Sequence, residues 1–399
     1  MSEAAPNLLD DIRILDLTRV MSGPYCTAML ADLGAEVIKI EMPGFGEEGR
    51  HFAPHQQGES TYFALLNRGK KSVTVDLKAA EGIDIVRRLA ATSDVLVENF
   101  RPGVMQRLGL ADDTLRAANP RLIYASISGF GQDGALAQLP AFDLVIQAMS
   151  GLMSVTGQKD GPATAVGESL ADICTGMFAS WGILAALVER ARTGTGRQLE
   201  VAMLDSVFAM LLTGLSRRLF TGETRGRVGN RHPETYPVDS FTTQDGEIVL
   251  VGFSEAIFRN ICRAIGQAGL ADDPRFADNA ARNANEVALR AAIGGWAAAR
   301  TSESALQALR DAGVPSAPVW GLDQLLASGH VQARGVLTRG KNAILGDIPL
   351  VQQPVMFAGA RRERDQVSPT LGQHTEDVLR EILKLDPDMI RALRDRKVI

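Results

Sequence analysis

Short apolar runs alternate with amphipathic segments through the first third of the chain. The apolar runs predict strands at 12–17, 35–40, 72–77, 94–97 and 122–127. The segments between them predict helices at 22–33, 81–91 and 114–118. Ser22 is the expected N-cap of the first helix, with Pro24 in its first turn. Strands separated by helices predict a parallel sheet with helices on both faces, which is an α/β fold.

The pattern changes in the second part of the chain. Helical periodicity dominates from about 143 to 215, with one strand predicted at 198–202, and a Gly- and Arg-rich stretch at 221–237 predicts a loop or linker. A strand at 247–252 and a mostly helical region at 272–315 follow. We therefore expect 1–225 to begin a large domain, 226–325 to form a smaller α/β domain, and 326–399 to return to the large domain.

Composition limits the class of protein. A chain of 399 residues exceeds the usual size of one hydrophobic core, which agrees with two domains. Hydrophobic residues make up 45% and charged residues 22%, which excludes a disordered chain. Lys and Arg number 42 against 47 Asp and Glu, and the resulting net charge of −5 argues against a general nucleic-acid partner.

Cysteines and apolar segments bear on location. Cys26, Cys174 and Cys262 lie far apart without zinc-ligand spacing, so we expect no metal and a reducing cytoplasm. The N-terminus lacks the basic and apolar regions of a signal peptide. The longest apolar stretch, 173–188, is shorter than the roughly 20 residues that span a bilayer. It predicts a buried core helix and no membrane partner.

Two short motifs carry weak signals. Residues 44–49 match GxGxxG after a strand, but no helix opens after them, and two glutamates in the loop disfavour a pyrophosphate. Ser169 lies in a near match to the GxSxG nucleophile elbow, with Ala171 in place of the last glycine, so a serine hydrolase is one alternative. A simpler interpretation is that Ser169 helps to begin the helix that follows.

Asp172 opens the long apolar helix. An acidic residue there usually caps the helix or complements its dipole. If it faces a cleft, the same carboxylate is a nucleophile at neutral pH without a neighbouring base, because its reference pKa is about 3.9. The residues alone leave both interpretations open.

Many ordered segments of the chain resemble one known family. They are 16–20 (DLTRV), 23–24, 33–41 (LGAEVIKIE), 67–72 (NRGKKS), 76–78, 97–103 (VENFRPG), 128–131 (SGFG), 171–173 with Gly176, 193–197 and 371–375 (LGQHT). Over nearly the whole chain, these segments resemble the family III CoA-transferases, also called the carnitine/bile-acid CoA-transferase group.

The resemblance implies a Rossmann-like large domain, a small domain and an interlocked homodimer. It implies that Asp172 is the catalytic aspartate, and that coenzyme A and acyl-CoA are substrates without a permanently bound cofactor. The CoA-contacting positions that it implies are Arg19, Val20, Met21, Val75 to Lys78, Asn99, Phe100, Arg107 and Leu139 to Phe142. Arg19, Arg101 and Arg107 also follow predicted strands, where open α/β sheets bind ligands and where guanidinium groups suit the phosphates of CoA.

The implied reaction moves CoA from an acyl-CoA, such as succinyl-CoA, to a small carboxylic or dicarboxylic acid through an aspartyl-CoA thioester on Asp172. Relatives that use oxalate carry glutamine at the position of Met21 and a run of glycines where 229–237 has one glycine. We therefore do not expect formyl-CoA:oxalate transfer. Arg231 and His232 in this segment are candidate ligands for a second carboxylate of the acceptor.

An α-methylacyl-CoA racemase is the nearest alternative, since it shares the implied fold. A racemase uses a His/Asp pair for proton transfer, and Phe142 stands where that histidine precedes the aspartate, here Asp143. A CoA-binding regulatory protein is a third alternative, against which the presence of Asp172 argues.

Overall fold

The structure is a computed structural model that describes residues 7–358 and 366–399. Its strands are β1 (Arg13–Asp16), β2 (Glu36–Glu41), β3 (His55–Gln56), β4 (Glu59–Ser60), β5 (Lys70–Thr74), β6 (Val95–Glu98), β7 (Ile123–Ser128), β8 (Gln198–Ala202), β9 (Val238–Thr242), β10 (Glu247–Val251), β11 (Ser316–Pro318), β12 (Leu337–Asn342) and β13 (Gly346–Val351). Its α-helices are α1 (Ser22–Asp32), α2 (Thr61–Leu66), α3 (Ala80–Ala91), α4 (Val104–Arg107), α5 (Asp112–Ala118), α6 (Asp143–Met149), α7 (Leu152–Val155), α8 (Leu170–Thr193), α9 (Met203–Met210), α10 (Leu212–Thr221), α11 (Glu255–Ala264), α12 (Asn279–Ala284), α13 (Glu286–Ala298), α14 (Ser302–Asp311), α15 (Leu322–Ala327), α16 (His330–Ala333), α17 (Thr375–Glu381) and α18 (Pro387–Asp395). Short 3-10 helices lie at Glu48–His51, Ala268–Asp272 and Pro274–Phe276.

The chain forms two compact units. The first contains the chain up to Gly151, Val166–Leu211 and His330–Ile399, and the second contains Leu152–Ala165 and Leu212–Gly329. The predicted small domain, 226–325, lies inside the second unit, and from His330 onward the predicted C-terminal segment belongs to the first unit. The second unit has a three-stranded antiparallel sheet, β11–β10–β9, whose Phe241 and Ile248 pack against α11 and α13.

Six parallel strands form the central sheet of the first unit, in the order β5–β2–β1–β6–β7–β8. The predicted α/β fold with a parallel sheet is confirmed. The chain adds strands from β1 outward to β5 on one side, and then from β6 to β8 on the other. The strand order therefore reverses between β1 and β6, and such a switch point leaves a crevice at the carboxyl ends of the strands.

Both faces of this sheet are buried, because successive side chains of a strand point to opposite faces. On one face, Leu15 and Leu96 pack with residues of α3, α17 and α18. On the other face, Ile14 and Val95 pack with α1 and with Ile183 of α8. Length and apolar composition alone would let α8 cross a membrane. It contributes Ile183 to this core, but Trp181 and Val188 of the same stretch are exposed, so the helix expected to be buried at 173–188 is buried on one face only.

Helices α1 and α8 approach each other closely near their first turns. A Cβ at Gly176 would lie 2.6 Å from the carbonyl oxygen of Ser22 and 3.1 Å from the ring of Tyr25. A larger residue than glycine at this position would therefore push the start of α1 away from α8.

Gly176→Ala is expected to destabilise the protein by about 1–3 kcal/mol, because the atom that the new methyl group meets is backbone and cannot turn aside. Gly182→Ala, further along the same helix, is the matched control. Its Cβ would meet only the Leu199 side chain at 3.5 Å, so the better helix propensity of alanine should stabilise the protein by about 0.4–1 kcal/mol. Urea unfolding followed by circular dichroism measures both changes, and changes of the same sign would contradict this packing.

Candidate active site

A cavity of about 220 Å³ lies in the first unit, at the carboxyl ends of β1, β6 and β7. The turns after these strands line it, through Arg19, Val20 and Ser22 after β1, residues 99–102 after β6, and residues 128–129 after β7. The other lining residues are Glu48, Phe52, Ile127, Ala137, residues 139–142, Asp172 and Met203. The cavity therefore occupies the crevice that the strand order predicts for a ligand.

Asp172 lies in the first turn of α8 and lines this cavity. Burial raises the pKa of the Asp172 carboxyl to about 6, and the negative charge of Asp143 adds to the effect. Hydrogen bonding from the side chain and the backbone of Ser22 lowers the pKa in turn. The carboxyl group is therefore mostly ionised at neutral pH, but more basic than an exposed aspartate.

Asp143, the first residue of α6, caps α8 from outside. The N–H groups of Ala171 and Asp172 donate to Asp143 Oδ1 at 2.7 and 3.4 Å, and Gln147 Nε2 donates to Oδ2 at 2.6 Å. Ser169 occupies the N-cap position, but its hydroxyl makes no capping hydrogen bond within the described chain. Ser169 therefore lies at the start of the helix, as expected, without a capping hydrogen bond from its hydroxyl. Because Asp143 does the capping, the Asp172 side chain is left for the cavity.

Ser22 brings the start of α1 to the Asp172 carboxyl. The helix begins at Ser22 itself, with Met21 at the N-cap position, so the predicted N-cap role of Ser22 is wrong by one residue. Ser22 instead lines the cavity beside Asp172, where its hydroxyl and N–H lower the pKa of the Asp172 carboxyl, and Ser22 is only 4% exposed. The first N–H groups of a helix have no partner inside it, so a carboxylate is a favourable neighbour for them.

The turns after β1 and β6 hold each other at the rim of the cavity. Arg19 N–H donates to Asn99 Oδ1 at 3.0 Å, and Asn99 Nδ2 donates to the Arg19 carbonyl at 2.8 Å. The Arg19 guanidinium lies over the Phe100 ring, 5.2 Å from its centroid, and pairs with Glu48 at 2.8 Å. These contacts fix the Arg19 backbone across the switch point.

Buried charges lie beneath the same turn. Lys70 Nζ donates to Asp16 Oδ2 and to the Pro24 carbonyl, both at 3.0 Å, and Lys39 Nζ donates to the Thr18 carbonyl at 2.7 Å. Burial by itself raises the pKa of Asp16, but the charges of Lys70 and Lys39, with hydrogen bonds from Thr18 and another threonine, bring it down to about 2. Burial also lowers the pKa of Lys70, to about 8. Asp16 and Lys70 therefore remain mostly charged at neutral pH.

The structure brings most of the predicted site residues together. Those that line the cavity are Arg19, Val20, Asn99, Phe100, Arg101, Phe142 and Asp172. Others lie apart from it. Lys78 lines a second cavity, of about 390 Å³, with Met42 and Lys397. The side chain of Val75 is buried in the core, which leaves only its backbone for a ligand. Arg107 is exposed at the end of α4, and Met21 precedes α1.

Arg231 and His232 lie in the second unit, where both already have partners. The Arg231 guanidinium pairs with Glu286 at 2.6 Å and donates to Asn283 Oδ1 at 2.9 Å. His232 Nδ1 accepts from the N–H groups of Glu234 and Thr235 at 3.1 and 3.0 Å. Binding of a second carboxylate by these side chains is therefore still a prediction, and it requires Arg231 to exchange or share a partner.

Several residues near Asp172 were not singled out from the sequence as site residues. The phenol of Tyr62 donates to the Val20 carbonyl at 3.5 Å, and the charge of Asp172 contributes to raising the pKa of Tyr62, after burial. Glu47 and Glu48, from the rejected GxGxxG segment, both hold the turn after β1. The sequence did hold a signal for these two residues, because carboxylates in a loop that resembles a phosphate-binding loop must have another role.

An arginine-lined cleft thus lies at the switch point of an α/β sheet, with the Asp172 carboxyl in its wall. The chain belongs to CoA-transferase family III, whose family pattern matches residues 9–375. It is 42% identical to acetyl-CoA:oxalate CoA-transferase of Acetobacter aceti, over 88% of this chain and 89% of that one. It is 37% identical to succinate–glutarate CoA-transferase of Agrobacterium fabrum, over 94% and 95%.

A crystal structure of a CaiB/BaiF family protein from Brucella suis has the same fold. The TM-score is 0.84 at 34% identity, over 94% of this chain and 100% of that chain. The family resemblance inferred from the sequence is confirmed. CoA-transferase activity is thereby favoured over a racemase and over a Ser169 hydrolase.

Asn99→Ala is expected to raise the KM for acyl-CoA roughly 5- to 100-fold, because it removes two hydrogen bonds that fix Arg19, each contributing about 0.5–1.5 kcal/mol. The matched control is Asn119→Ala, whose amide donates to the carbonyls of Ala90 and Ser93 at 3.2 and 2.9 Å, away from the cavity. That variant should lose stability and keep its KM. Steady-state kinetics of both variants test this, and an unchanged KM in Asn99→Ala would contradict it.

Proposed function

We propose that this CoA-transferase carries CoA on Asp172, as an aspartyl-CoA thioester, between an acyl-CoA donor and a small carboxylic or dicarboxylic acid. The observation that carries the proposal is the Asp172 carboxyl itself. It lines the cavity, is held by Ser22 rather than by an ion pair, and has a pKa of about 6. Such a group is ionised at neutral pH and more nucleophilic than an ordinary aspartate.

In the first half of the proposed reaction, an oxygen of Asp172 attacks the thioester carbonyl of the donor. The tetrahedral adduct expels the CoA thiolate and leaves a mixed anhydride between the donor acyl group and Asp172. The thiolate then attacks the aspartyl carbonyl, which releases the donor acid as a carboxylate and leaves Asp172 as its CoA thioester.

The second half reverses these steps with the acceptor. Its carboxylate attacks the aspartyl thioester and expels the thiolate, and the thiolate then attacks the acceptor's acyl carbon in the new anhydride. Product acyl-CoA forms and the Asp172 carboxylate is regenerated. One thioester replaces another, so no nucleoside triphosphate is consumed.

Ser22 is suited to stabilise the charge that develops on the oxygen of the two tetrahedral adducts that form at the aspartyl carbonyl. Its N–H and hydroxyl already interact with the Asp172 carboxyl in the ground state. When the aspartyl carbonyl becomes tetrahedral, the same two donors face an oxygen with more negative charge, so the interaction strengthens where it accelerates the step.

CoA binding is proposed along the carboxyl edge of the sheet. Lys78 follows β5, three strand spacings from β6, and adjacent strands lie about 4.8 Å apart, so the two ends are roughly 14 Å apart. An extended ligand between them reaches both Lys78 and the cavity at Asp172. Arg19 and Arg101 border that cavity, and their guanidinium groups suit CoA phosphates.

The acceptor is proposed to be a small carboxylic or dicarboxylic acid, and succinyl-CoA the donor. The names of the two relatives include oxalate, succinate and glutarate as acids, and acetyl-CoA as a thioester. The expectation against oxalate rests on Met21 and on the segment 229–237, and it applies to the formyl-CoA reaction. A panel of free acids against acyl-CoA donors, read by mass spectrometry, identifies the pair with the highest kcat/KM.

A homodimer is part of the proposal. Met177, Trp181 and Val188 of α8 are 50%, 68% and 62% exposed, and their spacing puts them on one face of the helix. Exposed apolar side chains of this size along one face are typical of an interface. A second copy of the chain is the partner we propose, and cytoplasmic location is proposed with it because all three cysteines are free and buried.

Asp172→Asn is expected to lower CoA transfer by at least about 10⁴-fold, because a carboxamide cannot act as the nucleophile. Incubation of the unmodified protein with succinyl-CoA and hydroxylamine should leave a hydroxamate on Asp172, detected by peptide mass spectrometry. Asp205→Asn, at an exposed position of α9, is the matched control and should retain activity.

Three results would contradict the covalent route. CoA transfer retained in Asp172→Asn would show that Asp172 is not the nucleophile. Deuterium entering the acyl Cα from solvent without CoA exchange supports a racemase. Activity that depends on Ser169 and survives Asp172→Ala supports a hydrolase.

The pH dependence provides a separate prediction. With an Asp172 pKa of about 6, kcat/KM for acyl-CoA should fall below pH 6 by about tenfold per pH unit, since only the ionised form attacks. Asp143→Asn removes a neighbouring negative charge and lowers the pKa, so the acidic limb should move to lower pH. Ser22→Ala removes a hydrogen bond to the ionised form, so the limb should move to higher pH. Identical limbs in the three proteins would mean that another group controls the profile.

A further inference from the structure

Val20 has a backbone conformation that valine rarely adopts. Its φ is +68°, in the left-handed region, where the branched side chain crowds the backbone. Val20 lines the cavity and lies two residues before Ser22. A strained residue at a functional site persists only when its surroundings hold it there, so the turn after β1 must be held by specific contacts.

Glu47 is the side chain that holds Val20. Its Oε2 accepts from the N–H of Val20 at 2.9 Å and from the N–H of Gly49 at 2.8 Å. Glu47 is 5% exposed, and its other oxygen lies 3.8 Å from the buried ammonium of Lys39. The carboxylate thus lies near a charge on strand β2, and one of its oxygens binds the N–H of the strained residue.

Glu47 is one of three side chains that bind the backbone of the turn after β1. Lys39 also donates to the Thr18 carbonyl at 2.7 Å, and Asn99 binds the N–H and carbonyl of Arg19. Glu47 takes the next N–H, that of Val20. Two residues later the chain presents Ser22 to the cavity that Asp172 also lines. Relaxation of Val20 to a negative φ would rotate the peptide units that follow and withdraw Ser22.

We propose that Glu47 is a positioning residue for CoA transfer: by holding Val20 in the left-handed conformation, its carboxylate keeps Ser22 against Asp172. The proposal rests on the proposed function in that Asp172 is taken as the nucleophile. Glu47 does not touch the reacting atoms, and its effect passes through the backbone from Val20 to Ser22.

The test is a double-mutant cycle between Glu47 and Val20. Glu47→Ala is expected to lower kcat roughly 10- to 30-fold, because valine then leaves the left-handed region. Glycine adopts positive φ without that penalty. In the Val20→Gly background, therefore, Glu47→Ala should lower kcat less than about 3-fold. Glu47→Gln keeps an acceptor oxygen for Val20 and should retain most of the rate, which also covers the case in which Glu47→Ala does not fold.

The matched control is Glu41→Gln, a buried carboxylate of β2 that pairs with Arg50 at 2.6 Å. Glu41→Gln should lower thermal stability, and its effect on kcat should be the same with Val20 and with Val20→Gly. Equal losses of kcat from Glu47→Ala in both backgrounds would overturn the proposal, as would kcat unchanged by Glu47→Ala. The cycle is read in overall CoA transfer, so it is independent of the hydroxamate on Asp172. Absence of that adduct would defeat the proposed function separately.

Discussion

The turn between β1 and α1 is held from below by buried charges, and the active site depends on it. Asp16, Lys39 and Lys70 are fully buried, and the two ammonium groups donate to the carbonyls of Thr18 and Pro24 on either side of the turn. Removing one member of a buried pair leaves an uncompensated charge, at a cost of about 3–5 kcal/mol. The backbone between Thr18 and Pro24 is therefore fixed before any substrate binds, which is what preorganised donors require.

Local pattern was sufficient for the elements of the sheet. Strands β1, β2, β5, β6 and β7 lie within one to three residues of the predicted bounds, and β8 coincides with them. These strands are buried on both faces of the sheet, and such burial is visible in the sequence as short apolar runs. The N-cap role predicted for Ser22 was wrong, because Met21 takes that position and Ser22 lies beside Asp172 of a different helix in the wall of the cavity. Such a partner cannot be inferred from the spacing of residues around Ser22.

Asp172 could be predicted as a site residue from the sequence, but the effect of neighbouring residues on its pKa could not. Asp172 follows from the resemblance, and its reference pKa suggested an ordinary acid. Its pKa is higher because the carboxyl group is buried and because α6 brings Asp143, 29 positions away in sequence, to the same helix start. The second unit gives the opposite case. Arg231 reads as a free cation in a polar loop, whereas Glu286 and Asn283 already bind it.

Asp143 helps to explain how Asp172 can lie at the N-terminus of a helix and still have a raised pKa. An aspartate in the first turn of a helix is normally drawn to the free N–H groups and kept acidic by them. A second carboxylate that takes those N–H groups leaves Asp172 facing the cavity and raises its pKa through charge repulsion. Ser22 opposes this rise, so the group stays ionised at neutral pH while remaining more basic than a free aspartate. Burial, Asp143 and Ser22 together therefore set how much of the Asp172 carboxyl is ionised, and the close contact at Gly176 is what brings α1 near it.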